Sequence, residues 1–320
     1  GTPMRTITAL FVGLGSIGTR HLKNLANLCA DRGWTLQADA LRSDLTRPLR
    51  PGAAELLHAQ YTDPAAAPAH YDMVFITNPT SLHAEALRQV RGRGEALFIE
   101  KPIFSAEQTG LALDELLPAG QKAYVAAPMR WCGAMLALKD RLPALHPYCA
   151  RVICSSYLPD WRPGVDYRTV YSARKALGGG VTIDLIHEWD YLVELFGVPE
   201  KLYNFKGTYS ELEIDSDDLS VYIAKYPTLL AEVHLDYFGR GYRRSIELFC
   251  RDGSYLADFG KGTLTLPDGT VQHYEEDVNR RYEREMEYFV DYALTGCGES
   301  CNPPALALKV LKLTLGENVQ

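Results

Sequence analysis

A helix that offers a carboxylate and an imidazole on one face can move protons near neutral pH. The stretch "ALGGGVTIDLIHEWDYLVELFG", residues 176–197, has the pattern for such a helix. Three glycines lead into a helix expected to start near Thr182. Leu185, Trp189, Leu192, Val193 and Phe196 recur at spacings of three and four as an apolar stripe. Asp184, His187, Glu188 and Tyr191 fall on another face at the same spacings. Those four would equally suit the solvated side of an ordinary amphipathic helix. Just upstream, "LPDWRPGVDYRTVYSARK" sets Arg162, Arg168, Arg174 and Lys175 against only Asp160 and Asp166, with Trp161, Tyr167 and Tyr171 among them. Aromatic rings can hold the apolar face of a sugar while guanidinium groups hold anions. Substrate binding is therefore expected of Trp161, Arg162, Tyr167, Arg168 and Tyr171, with a solvated loop or a subunit contact as the alternatives. A third stretch, "FIEKP" at residues 98–102, ends an apolar run with an acid, a base and a proline. On those five residues alone, the charges could simply mark the chain's return to water.

Gly13-Leu14-Gly15-Ser16-Ile17-Gly18 matches G-x-G-x-x-G between a β-rich run and a helical one, the context in which that pattern binds a dinucleotide. Gly13 permits the tight turn, Gly15 lets backbone approach a pyrophosphate, and Gly18 lets helix and strand pack closely. The phosphates would sit on the helix N-terminus opened by Ser16 and Ile17. An acid ending the second strand would select NAD. Asp39 has about the right count but falls inside the strand, whose expected end is Arg42-Ser43, with Asp44 and Arg47 beyond. A guanidinium there suits a 2′-phosphate. The expectation is NAD(P), leaning to NADP through Arg42 and Ser43; the alternative is that Arg42 is a solvated strand end.

The elements that must position these residues alternate at first. Strands are expected at "TITALFV", "TLQADALRS", "DMVFITN", "EALFIE" and "KAYVAAP", with helices at "TRHLKNLANLCA", "SLHAEALRQV" and "SAEQTGLALDELL". That βαβ order predicts a doubly wound parallel sheet of Rossmann type over residues 1–125. After a helix over Trp131–Leu142 and the strand "YCARVICSSYL", five strands follow in a row: "KLYNFKGTY", "LSVYIAKY", "TLLAEVHLDYF", "RSIELFC" and "SYLADF". They predict an α+β domain with a mostly antiparallel sheet over residues 126–320, for substrate binding and oligomerisation, closed by helices around Tyr282–Leu294 and Ala305–Leu315.

At 320 residues the chain can bury two cores. A formal net charge of −7 gives the whole molecule no basic character for nucleic acid or an anionic membrane, so neither partner is expected. No apolar run approaches the ~20 residues that span a bilayer. The opening residues lack the pattern of a secretory signal. The seven cysteines are odd in number and scattered, which argues against a disulfide framework, and no His/Cys set completes a metal site. A cytoplasmic protein with reduced thiols and no metal is expected.

In order along the chain, "GLGSIGTRH", "TNPTSLHAE", "EKP", "GGGVTIDLIHEWD" and the closing "EMEYFVDYALTG" and "ALALKVLKLTLGENVQ" resemble the Gfo/Idh/MocA oxidoreductases, the relatives of glucose–fructose oxidoreductase and inositol dehydrogenase. The resemblance covers nearly the whole chain. "LPDWRPGVDYR" and "YSARK" before the glycines are similar to members associated with bacterial surface polysaccharides and sialic-acid-like sugars. The resemblance implies that Lys101 of E-K-P stands beside nicotinamide and substrate, where an ammonium could stabilise a forming alkoxide. Glu100 would orient or tune it, and Pro102 would stiffen the turn. His187 would take or return the hydroxyl proton, and Asp184 would orient substrate or imidazole. Asn78, Pro79, Thr80 and His83 match the loop that lies along the cofactor, and Arg130 of "APMRWCG" matches a substrate-pocket position. Two departures stand out: many members separate the acid and histidine by four positions rather than three, and Pro128 and Cys132 stand where relatives commonly show Asn and His.

The implied activity is transfer of a hydride between nicotinamide and a hydroxyl or keto carbon of a sugar, nucleotide-sugar or related polyol. The alternatives are a hydrolase or lyase that recycles NAD as an internal oxidant, which would accumulate no reduced cofactor, and a non-catalytic dinucleotide sensor. A homodimer or homotetramer formed through the C-terminal sheet is expected.

Overall fold

The computed structural model describes residues 4–319. Two compact units emerge: Gly1–Ala126 with Tyr282–Leu308, and Ala127–Arg281 with Lys309–Gln320. A single cut between residues 125 and 126 therefore misses a return of the chain. The helix over Asn279–Thr295, last but one in the chain, carries Met286, Phe289, Val290 and Ala293 at spacings of three and four, and these complete the core of the first unit.

The first unit is built on a sheet of β1 (Thr6–Val12), β2 (Thr35–Leu41), β3 (Leu57–Tyr61), β4 (Tyr71–Ile76), β5 (Gly94–Ile99) and β6 (Lys122–Val125), in the order β3-β2-β1-β4-β5-β6. All its pairings are parallel. Helices α1 (Ser16–Asp31) and α2 (His83–Gln89) follow β1 and β4. The expected helix at residues 105–117 reduces to one 3₁₀ turn, Ala106–Gln108, and a four-residue α3, Leu113–Leu116. Ser105 and Gln108 close a capping box around that turn, and Gly110 follows before a helix can propagate. Strand β3 was not expected, because "LHAQY" at a sheet edge carries little β-branched or apolar patterning. The centre is aromatic. Parallel register places Phe11 beside Phe75, Phe75 beside Phe98 and Phe98 beside Tyr124. Phe289 caps the row edge-on to Phe98 at 5.2 Å, and the Tyr124 hydroxyl donates to Glu285 at 2.6 Å.

The second unit opens with α4 (Gly133–Arg141) and β7 (Cys149–Tyr157), then α5 (Val181–Asp184) and α6 (His187–Phe196). Seven strands follow: β8 (Lys201–Gly207), β9 (Leu219–Lys225), β10 (Leu230–Asp236), β11 (Phe238–Cys250), β12 (Gly253–Asp258), β13 (Thr263–Thr265) and β14 (Val271–His273). With β7 they form one sheet, ordered β14-β13-β12-β11-β7-β10-β9-β8, in which only β7 and β10 pair parallel. One face is packed: Ala150, Val152 and Cys154 alternate inward, and Trp189 of α6 meets Tyr222 edge-on at 5.3 Å. The chain ends through α7 (Asn279–Thr295) and α8 (Pro304–Thr314). No helix among the described residues is long and apolar enough to cross a membrane, and the seven cysteines are free thiols.

The aromatic row gives a direct test. Phe98 touches Phe75, Tyr124 and Phe289 and is fully buried. Phe98→Ala should lower the unfolding free energy by about 3–5 kcal/mol, read from denaturant titration. A loss below about 1 kcal/mol would show that the row is not the centre of this core.

Candidate active site

In the first unit, register sets the Val12–Ile76–Ile99 row at the carboxyl ends of three neighbouring strands. The ladder continues one step further, with Thr77 N–H donating to Val12 and Glu100 N–H to Ile76. Gly13, Thr77-Asn78 and Glu100-Lys101 thus leave one sheet edge side by side. Strand order reverses between β1 and β4, the switch point where open α/β sheets bind ligands.

The three glycines have different reasons to be glycine. Gly13 has φ +95°, and a Cβ there would come within 2.7 Å of the Asn78 Cα. At Gly18 a Cβ would lie 2.6 Å from the Gly13 carbonyl, which already accepts the Thr77 hydroxyl at 2.6 Å. Gly15 has an ordinary φ of −74°, and a Cβ there would meet nothing within 4 Å. Packing explains Gly13 and Gly18; Gly15, the N-cap of α1, is not fixed by packing and leaves its backbone open to the space beside it. Gly13, Gly15, Arg42, Ser43, Asn78 and Pro79 line a cavity of about 530 Å³ at this point, within the size range of cofactor sites. Ser16 and Ile17 begin α1, Gly18 is buried behind them, and Thr80 begins a 3₁₀ turn; these four are not part of the lining.

At the far side of the cavity, Arg42 donates to Gln60 Oε1 at 2.9 Å and to the Arg47 carbonyl at 2.5 Å. Arg47 and Arg50 join it in the lining, with Asp44 and Glu85 as the acids. Asp44 is committed to Thr46, whose hydrogen bonds hold its carboxyl below the usual range. Asp39 is buried inside β2 and accepts the Tyr71 hydroxyl at 2.7 Å, so it offers nothing to a ribose.

Two expectations on this side change. His83 is fully buried, with Nδ1 2.9 Å from the Ile103 carbonyl and Nε2 3.0 Å from the Asn78 carbonyl. It braces the loop from behind instead of lying along the cavity. Burial lowers its pKa, although both carbonyls and Glu100 oppose that shift. Glu100 does not pair with the Lys101 ammonium. One of its oxygens lies 2.7 Å from His21 Nε2, and the other accepts the Lys101 backbone N–H at 2.9 Å. Burial would raise this carboxyl, but the hydrogen bond and charge of His21, then the charge and N–H of Lys101, hold it below the usual range. Lys101 itself is half-buried, and its peptide bond to Pro102 is cis. Among the described residues no carboxylate lies within ion-pair distance of its ammonium.

In the second unit the expected single helix from Thr182 is two. Hydrogen bonds from Ile186 N–H to Ile183 and from Trp189 N–H to Ile186 tighten the turn, separating α5, which ends at Asp184, from α6, which begins at His187. Asp184 Oδ1 accepts the Tyr171 hydroxyl at 2.5 Å, and Oδ2 accepts the Tyr237 hydroxyl. Burial, and then the charge and hydrogen bond of Asp184, push both phenols up, so they remain donors. Glu188 and Tyr191 are not a solvated face, because both are fully buried. Glu188 accepts Arg244 at 2.7 and 2.8 Å, and Tyr191 packs on Phe259.

Asp184, His187, Trp161, Arg240, Tyr242 and Arg244 line a cavity of about 440 Å³ in this unit. Trp161 donates its indole N–H to Ser156 and stands edge-on to Tyr237 at 5.3 Å. Arg162, Tyr167 and Tyr171 line a smaller recess that also borders Trp161. Arg130 and Arg168 are corrections. Arg130 is buried, donates to the Asp190 carbonyl at 3.1 Å and lies 3.9 Å from Glu194, so it braces α6. Arg168 is exposed and paired with Asp166 at 3.0 Å and Glu213 at 2.7 Å. Sequence reasoning missed His21, Tyr237, Arg240 and Arg244. Gly239 and Gly241 fell in the gap between two expected strands, whereas β11 runs through them from Phe238 to Cys250.

Residues 7–126 match the model of an oxidoreductase family with an NAD-binding Rossmann fold, Gfo/Idh/MocA. No curated protein matches the sequence closely enough to count as a relative. Solved structures share the fold at low identity. Levoglucosan dehydrogenase in complex with NADH superposes with a TM-score of 0.78 at 15% identity, covering 97% of this chain and 95% of that one. Myo-inositol 2-dehydrogenase from Lactobacillus plantarum gives 0.72 at 19%, covering 97% and 96%. UDP-N-acetylglucosamine 3-dehydrogenase from Acidithiobacillus ferrooxidans gives 0.69 at 20%, covering 98% and 96%. With its glycine loop at the switch point of a six-stranded parallel sheet, the segment 7–126 belongs to the Gfo/Idh/MocA family of NAD-binding Rossmann oxidoreductases.

Proposed function

We propose that the protein is an NAD(P)-dependent oxidoreductase acting at a hydroxyl or keto carbon of a sugar, nucleotide-sugar or related polyol. The observation that carries this reading is Gly15: a glycine with ordinary φ and open space beside it, lining a cavity, in a loop whose other two glycines are fixed by packing. Gly13, Gly15, Asn78 and Pro79 would hold the dinucleotide, with the first N–H groups of α1 toward its phosphates. The bound nicotinamide supplies the hydride acceptor or donor.

The chain's own residues do the rest. Lys101, with no described carboxylate within ion-pair distance of its ammonium, hydrogen-bonds the reacting oxygen and stabilises the charge that develops there. His187 takes the hydroxyl proton in oxidation and returns it in reduction. Asp184 is locked by two phenols and orients the substrate or the imidazole. Trp161 offers a ring face to the sugar. Arg42, with Arg47 and Arg50 in the same lining, favours the 2′-phosphate of NADPH. The similarity in fold to sugar and polyol dehydrogenases supports the substrate class.

The outer face of the second sheet supports a homo-oligomer. Tyr203 pairs with Ile223 and Phe205 with Val221, all on the unpacked side, and Phe205 is 78% exposed. A second copy of the chain would cover them.

Fluorescence and melting titrations with NADH and NADPH test the cofactor reading. At a hundredfold its dissociation constant, the preferred cofactor should stabilise the protein by ~2.7 kcal/mol. Gly15→Ala should abolish that shift while lowering the unliganded melting temperature only slightly, as an N-cap change does, whereas Gly18→Ala should melt markedly lower without any ligand. Arg42→Gln should weaken NADPH by about 1.5–3 kcal/mol and spare NADH. Binding of neither cofactor would end the oxidoreductase reading. On any sugar the protein oxidises, Lys101→Met should slow turnover by ~10²–10³ with cofactor affinity retained. For assembly, light scattering after size exclusion should give a dimer or tetramer, and Phe205→Glu with Ile223→Glu should dissociate it. A wild-type monomer at micromolar concentration would refute the interface.

A further inference from the structure

We propose that Arg240 binds an anionic group of the substrate, so that the sugar entering the second unit's cavity carries a carboxylate or a phosphate. This rests on the reading that the cavity containing Asp184 and His187 receives the sugar.

The strand that presents Arg240 is built irregularly at that point. Phe238 pairs with Tyr157 and Arg243 with Ser155, so five steps along β11 oppose two along β7, and residues 239–242 leave the ladder. Bulges of this kind re-aim side chains beside functional sites. This one is held in place. Asp236 is buried, and its Oδ1 accepts the Phe238 and Gly239 N–H groups at 2.9 and 2.8 Å. Glycine at 239 suits the close approach, since a Cβ there would lie 1.8 Å from Ser155 Oγ and 3.1 Å from its Cβ. The result carries Arg240 and Tyr242 into the cavity lining that Asp184, His187 and Trp161 share.

Arg240 is then set for an incoming acceptor. Its guanidinium lies 3.8 Å from the Tyr157 ring centroid, so the ring covers one face and leaves the N–H edge available. A guanidinium fixed in this way loses little freedom when it meets a planar carboxylate or a phosphate. Its charge is also uncompensated. Arg244 is neutralised by Glu188, Arg130 lies against Glu194, and Arg168 is held by Asp166 and Glu213. Among the described residues no carboxylate lies within ion-pair distance of Arg240, although Asp160 lines the same cavity. Arg240 supplies charge to one end of the substrate, leaving Asp184 and His187 to the hydroxyl.

The test uses the full chain saturated with whichever of NADH and NADPH it binds. Melting temperature is followed against D-glucuronate, D-glucose 6-phosphate and neutral D-glucose, with inorganic phosphate as the control. At least one charged sugar should half-saturate at a tenfold lower concentration than glucose, and added salt should erode that preference. Arg240→Gln, on an exposed bulge, should remove the preference and leave glucose unchanged; Arg240→Lys should restore part of it. Preference for glucuronate alone assigns a carboxylate, and preference for glucose 6-phosphate alone assigns a phosphate. Inorganic phosphate binding that survives Arg240→Gln marks a site elsewhere. Equal response to charged and neutral sugars, a preference that survives Arg240→Gln, or no response to any sugar overturns the proposal. Each of these leaves the cofactor titration, and the oxidoreductase reading with it, standing.

Discussion

A buried carboxylate must find positive or hydrogen-bonding partners, and Glu100 finds two that tie the first unit's site together. One oxygen reaches His21 on α1, the helix opened by the glycine loop; the other holds the backbone N–H of Lys101. Left alone, a fully buried Glu would cost several kcal/mol or take up a proton. Paired, it joins the end of β5 to the helix that follows β1. The turn bearing Lys101 is thereby referenced to the glycine loop rather than to solvent. His21 sits edge-on to Phe98 at 4.7 Å, so the aromatic row of the core fixes the imidazole from below. Packing, pairing and the lysine's placement form one chain of dependence. Glu100 thus meets Lys101 through its backbone N–H and its charge at a distance, not through a direct ion pair with the ammonium.

The second unit solves a similar problem differently. Asp184 is held by two phenols instead of a cation, Tyr171 from the loop and Tyr237 from the segment between β10 and β11. Hydrogen bonds from neutral donors fix a carboxylate without cancelling its charge, and charge is what a group that orients a substrate or an imidazole needs. The break between α5 and α6 belongs to the same design. It lets Asp184 end one helix while His187 starts the next, so the two are not bound to the geometry of a continuous turn. The question of a three- or four-residue spacing accordingly loses its force: the interval is not uniformly helical in this protein.

The sequence made the first unit's architecture legible because parallel βαβ order depends on local patterning and loop residues, both of which are written in consecutive positions. Gly13, Gly15 and Gly18 and the positions of Arg42 and Asn78 just past β2 and β4 followed from it. What failed were side chains whose partners lie far away. His83 carries the signature of a loop ligand yet braces that loop from inside. Arg130 stands next to a conspicuous proline and cysteine yet props α6. The expected helix at residues 105–117 failed for a local reason, a capping box and a glycine that close one turn early. Tyr237 could not be connected with Asp184 by any spacing rule, because their bond joins residues 53 positions apart.

Charge shows most clearly where a sequence stops being informative. Composition counts arginines; function depends on which of them lack a partner. The basic loop at residues 161–175 looked like the anion-binding element, and folding spends Arg168 on Asp166 and Glu213 within that loop's own surroundings. Surface pairs of this kind contribute little to stability, roughly 0–1 kcal/mol, but they do remove a free cation. Arg244 is consumed by Glu188 inside the packed face, where an unpaired charge could not be tolerated. Arg240 differs because a bulge lifts it out of the ladder before any carboxylate can meet it, and a tyrosine ring rather than an acid steadies it. Net charge could not distinguish these arginines, since all carry the same +1. Their difference is a property of register: three extra residues between two ladder pairs decide which guanidinium is left facing the cavity.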